Sequence, residues 1–82
     1  MLKVIAVYDN EGRSLDRYTI VTNNRVSPKH NGKYTYDAIS ASENGLGVFM
    51  WCQCIRGSHL GKKIKLNELS KELQDKIKLA LH

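Results

Sequence analysis

Three clusters in this 82-residue chain carry side chains and backbone suited to binding or catalysis. In Asp16-Arg17-Tyr18-Thr19, an Arg beside an Asp reads as a structural ion pair or as a guanidinium fork offered to phosphate or carboxylate. Exposed pairs of this kind contribute little and are common, which favours the structural version. In Ser42-Glu43-Asn44-Gly45-Leu46-Gly47, small polar side chains and flexible backbone suit hydrogen bonding to a polar ligand. It is neither a Walker loop nor a Gly-x-Gly-x-x-Gly fingerprint, and it also serves as an ordinary turn. The third cluster, Arg56-Gly57-Ser58-His59-Leu60-Gly61-Lys62-Lys63, sets an imidazole between glycines and follows it with two ammonium groups. Backbone N–H groups, imidazole and ammoniums together suit an oxyanion. The plainer alternative is a Gly turn into a last short strand, with His59 bonded to a backbone carbonyl. As a general base, His59 would need a second positioned group that no spacing in the chain supplies.

Charge supports the third cluster. Net charge is +5, from 13 Lys and Arg against 8 Asp and Glu, and it is concentrated after residue 55. Between Arg56 and Lys65 stand four cations, His59 and no acid. Such a segment attracts phosphate, nucleic acid or an acidic partner, or simply solvates a loop. Cys52 and Cys54 share one face of a strand, a poor geometry for a disulfide. With His30, His59 and His82 they fit no zinc spacing, so two buried reduced thiols are expected, with no metal and no cofactor. Tyr18, Tyr34, Tyr36, Phe49 and Trp51 are of a type that stacks bases, but strand aromatics more often belong to a core.

The elements that must position these groups follow from composition and periodicity. One small domain over residues 1–82 is expected, and at 41% hydrophobic residues it can build a core. The longest apolar run, Val48 to Cys52, is far short of a membrane span, and no secretory leader is visible, so a cytoplasmic location is expected. Strands are expected over 2–8, 17–22, 34–41 and 48–55, with a short one over 62–66. The stretch 23–33, which holds Asn-Asn, Ser-Pro and Asn-Gly, reads as a loop. Val48 to Ile55 is apolar on both alternating sets apart from Gln53, which predicts a central strand covered on each side. Leu66, Leu69, Leu73, Ile77, Ala80 and Leu81 recur at spacings of three and four, which predicts an amphipathic helix over about 68–81. Asn67 or Ser70 can cap it, and Glu72 with Lys76 makes an acid-first i,i+4 pair. The fold class is therefore α+β, a small antiparallel sheet of four to five strands packed against one C-terminal helix. The sheet's other face has no second helix, so a dimer partner or a ligand is expected to cover it.

Tyr8-Asp9-Asn10-Glu11-Gly12, Asp16-Arg17-Tyr18-Thr19-Ile20-Val21, Ser42-Glu43-Asn44, Trp51, His59-Leu60-Gly61-Lys62-Lys63-Ile64, Leu69 and Gln74 resemble a family of small phage and prophage proteins. The likeness runs across nearly the whole chain, and the His-Leu-Gly-Lys-Lys-Ile and Asp-Arg-Tyr-Thr stretches are its most specific parts. Glu11 replaces a family Gly, while Gly45 and Ser70 stand where the family has Pro. The change at 70 makes Ser70 the better cap. The resemblance carries no activity over. It implies a virus-encoded accessory protein acting in a bacterial cytoplasm, a setting in which compact proteins antagonise host defence.

The expected function is a non-enzymatic binder, a homo-oligomer, that captures an anionic, nucleotide-like small molecule. Arg17 and Lys62 would neutralise phosphate, His59 and the Gly61 backbone would hydrogen-bond it, Ser42 and Asn44 would line the site, and Trp51 or Tyr18 would stack a base. The alternatives are an inhibitor that binds a host defence protein through its basic segment and helix exterior, and a small nucleotide hydrolase with His59 as base. The first expectation requires His59, Arg17 and Lys62 to share one concavity.

Overall fold

The β-branched and aromatic stretches form strands, and the three-and-four spacing forms the helix. The structure is a computed structural model describing residues 1–25, 33–43 and 45–82. The elements are β1 (Val4–Asp9), β2 (Tyr18–Arg25), β3 (Tyr36–Ala41), β4 (Phe49–Cys54), β5 (Lys62–Ile64) and α1 (Lys71–Ala80), with 3₁₀ turns at Ser58–Leu60 and Leu66–Glu68. The strands make one antiparallel sheet in the order β4-β3-β2-β1-β5. Among the described residues, no helix is long and apolar enough to cross a membrane.

Register assigns the two faces. Ile64, Val7, Ile20, Ile39 and Trp51 are successive cross-strand partners, so they share the face that α1 covers. Leu69, Leu73 and Ile77 close on Val7, Tyr18, Ile20, Ile39 and Ala41, and this is the main core. Ile20, Ile39 and Leu73 are fully buried, each contributing on the order of 2 kcal/mol through apolar area removed from water. The opposite face carries the rows Lys63–Tyr8–Thr19–Ser40–Met50 and Ala6–Val21–Ala38–Cys52.

That second face is covered in part by the chain itself. β4 and β5 lie at opposite edges, so residues 55–61 must traverse four inter-strand steps, about 19 Å at ~4.8 Å each. Seven residues, with a reach of about 23–25 Å when extended, span that distance and still accommodate the 3₁₀ turn at Ser58–Leu60. Leu60, at the end of this crossover, packs on Ala6, Tyr8 and Val21. A crossover strap therefore lies where a second helix was missing.

Four expectations need correction. Val48 to Ile55 supplies an edge strand, leaving Met50 60% and Trp51 47% exposed. The helix begins at Lys71, because Leu66–Glu68 forms a separate 3₁₀ turn and the Ser70 side chain accepts the Leu73 N–H at 3.2 Å. Glu72 does not hold Lys76, whose Nζ donates to the Gly45 carbonyl at 2.7 Å and lies 5.4 Å from the Phe49 ring centroid. On the helix it is Lys71 and Asp75 that approach, at 3.9 Å. Of the expected loop over 23–33, Asn23, Asn24 and Arg25 continue β2, and residues 26–32 lie outside the described residues.

Candidate functional site

Arg17 stands just before β2, and Asp9 ends β1 as the register partner of Tyr18. Arg17 Nε donates to Asp9 Oδ1 at 2.8 Å and Nη2 donates to Oδ2 at 3.0 Å, a bidentate fork. Its Nη1 also faces Glu43 Oε1 at 3.5 Å. The guanidinium holds the Asp9 carboxyl below the usual carboxylate range, and the carboxylate raises the Arg17 pKa in return. Lys62 is the β5 register partner of Asp9 and adds to the same lowering. Lys62, Asp9, Arg17 and Glu43 thus form a string of alternating sign, and the fork is already committed to a carboxylate.

Arg17 and Ser42 do share a recess of about 360 Å³ between the β1–β2 and β3–β4 turns, lined also by Gly12, Ser14, Leu15, Glu43 and Gly47. Lys62, His59 and Trp51 do not line it. Ser42 Oγ accepts the Gly47 and Val48 N–H groups at 3.0 Å each and donates to the Val48 carbonyl at 3.3 Å. It closes the turn. Asn44 lies outside the described residues. Gly61 has φ +107, and a Cβ there would collide with the Asp9 carbonyl and the Asn10 Cα, so its place is set by backbone approach. Trp51, on the α1 side of β4, is separated from Gly61 and Lys62 by the full width of the sheet.

A different grouping forms on the face opposite α1. Tyr8 is the cross-strand partner of Lys63, so the two side chains are neighbours there. From the crossover, Arg56 Nε donates to Tyr8 Oη at 3.4 Å, and its guanidinium lies 6.0 Å from the Tyr36 ring centroid. The Tyr8 hydroxyl raises the Arg56 pKa, so the group stays cationic under all ordinary conditions. Next along the Tyr8 row come Thr19 and Ser40, both partly buried, with Ser40 Oγ 3.3 Å from Cys52 Sγ. His59 is exposed in the same crossover. No strand position that register places on this face, among the described residues, carries a carboxylate. The acids Asp9 and Asp37 fall on the other alternating set.

Sequence reading treated Arg56 and Lys63 as parts of a basic run and left them out of the site. The signal was present: Lys62 and Lys63 are adjacent in a strand, so only one can face each side. What could not be read was which one faces the strap, because that depends on the β1–β5 register. Cys54 also lies on this face, and burial pushes its thiol up to about 11, which makes it a poor nucleophile at neutral pH.

Comparison with protein-family models, curated proteins and solved structures returns no match for this chain.

Proposed function

We propose that the chain is a binding module for an anionic, nucleotide-like ligand, and that the ligand lies on the sheet face opposite α1. The observation that carries this reading is the pairing of Lys63 and Arg56 around Tyr8 on a face whose strand positions present no carboxylate. Two cations with no compensating acid give a local positive potential that attracts phosphate. Arg56 Nε donates to Tyr8 Oη and its guanidinium also hydrogen-bonds the Tyr36 side chain, which holds the cation beside the Tyr8 row where a phosphate can meet it. Thr19 and Ser40 supply hydroxyls along the row, and half-buried Tyr36 offers a ring on which a base can stack. His59 adds a donor from the strap. Arg17, bound to Asp9, serves structure in this reading, and Lys62 balances the same carboxylate.

Among the described residues, the groups on this face that bear on a ligand are cations and hydroxyls, which suit binding. The host-defence setting in a bacterial cytoplasm rests on the phage-family resemblance alone. Calorimetric titration with cyclic dinucleotides, ADP-ribose and mononucleotides tests the reading. It requires saturable heat from at least one of them, weakened about tenfold by Lys63→Gln, the loss of one charge-assisted contact. Flat traces across the set contradict it.

A further inference from the structure

β4 has the composition of an interior strand and the position of an edge. Residues 45–55 hold no ionisable acid or base of the Asp, Glu, Lys or Arg type, in a chain where such residues make up 26%. The two sheet edges differ sharply. β5 is three residues long with exposed Lys62 and Lys63, the usual protection of an edge against pairing. β4 is six residues long and pairs with β3 in unbroken register, without bulge, proline or charge. Its exposed side chains include Met50 and Trp51.

We infer that β4 pairs antiparallel with β4 of a second copy, so that two sheets join into one of ten strands. A second copy is the occupant that this edge fits best. Two chains of charge +5 repel, and the approach that brings fewest cations together is through the stretch that has none. A two-fold axis also supplies what the unpaired backbone requires. The Val48 carbonyl accepts the Ser42 N–H at 2.8 Å and so points toward β3. Alternation then turns the N–H and C=O groups of Phe49, Trp51 and Gln53 outward. Only a register centred on Trp51 pairs all three residues: Trp51 opposite the partner's Trp51, and Phe49 opposite the partner's Gln53. Both indoles then meet on the α1 side. On the other side, Met50 lies opposite Cys52 of the partner subunit in a non-hydrogen-bonded pair, the closer kind. The strand thereby gains a neighbour on each edge, and its exposed Trp51 and Met50 gain apolar cross-strand partners.

Sedimentation equilibrium on the full chain at high micromolar concentration tests this, with a mass of twice 9.3 kDa expected. Gln53→Pro removes an outward N–H and leaves the β3–β4 ladder intact, so a folded monomer is expected by sedimentation and circular dichroism. Trp51→Lys, at a side chain already exposed in the single chain, is expected to do the same. Register is read by oxidation. Met50→Cys in a Cys54→Ser background gives a covalent dimer through Cys52 of the partner subunit, whereas Cys54→Ser alone does not cross-link. A monomeric parent chain overturns the inference, as does a Gln53→Pro chain that still dimerises. Cross-linking of the Cys54→Ser chain through Cys52 alone overturns the Trp51-centred register.

Discussion

Asp9 receives two parallel hydrogen bonds from Arg17, at 2.8 and 3.0 Å, and is also the strand partner of Lys62. The cation expected to meet a ligand's phosphate is therefore already satisfied by the protein's own carboxylate. Asp9→Asn is expected to destabilise the fold by about 1–2 kcal/mol, the low end for charged hydrogen bonds because Arg17 is 31% exposed. The double variant Asp9→Asn/Arg17→Gln should cost less than the sum of the two single changes, because they share one interaction. Urea denaturation of the three variants measures this.

The same pair sets an acid limb to stability. Asp9 has a folded pKa below its unfolded value of about 3.9, so its contribution is fully present above that value. It is lost as pH falls through the folded pKa. Melting temperature in the parent chain should therefore drop more steeply below about pH 4 than in Asp9→Asn, whose curve lacks this component.

Cys54 acts at the alkaline end. Burial holds its thiol protonated to about 11, above the ordinary 9.0, so the folded chain keeps a proton that the unfolded chain releases. Stability should decline as pH rises from about 9 toward 11. Alkylation by iodoacetamide in a Cys52→Ser background should stay slow at pH 9 in the folded chain and become fast in urea.

Two local changes report on backbone fit. Glu11 adopts φ +61, a conformation that costs a side-chain-bearing residue on the order of 1 kcal/mol. Glu11→Gly should raise stability by about 0.5 kcal/mol, the relief being offset in part by added unfolded-state entropy. Ser70→Ala removes the acceptor for the Leu73 N–H and should cost about 1 kcal/mol, with fraying at the first turn of α1 visible in amide exchange.

How much of this was legible depended on how local the signal was. The α1 stripe and the hairpin turns depend on neighbours within a few residues, so the α+β class and two cap candidates, Asn67 and Ser70, could be read directly, and it is Ser70 that caps. The order of strands could not. The apolar pattern of Val48–Ile55 predicts a central strand, and the structure puts it at the sheet edge with Met50 and Trp51 exposed, because strand order is set by distant pairings. Likewise Arg17, Ser42, His59 and Lys62 are all of binding type, but their convergence depended on register. Asp9 intervenes between Arg17 and Lys62, and the strap carries His59 to the other face. Arg56 met Tyr8 across 48 positions of sequence, a contact that no spacing rule anticipates.

The central claim, an anion held on the face opposite α1, is tested most directly by amide chemical-shift mapping during titration with a nucleotide at low salt. Shifts should gather at Tyr8, Thr19, Ser40, Arg56 and Lys63, and should fade in Lys63→Glu while Arg17→Gln leaves them in place. Shifts confined to the recess around Arg17, Ser42 and Gly47, or lost in Arg17→Gln and kept in Lys63→Glu, would contradict it.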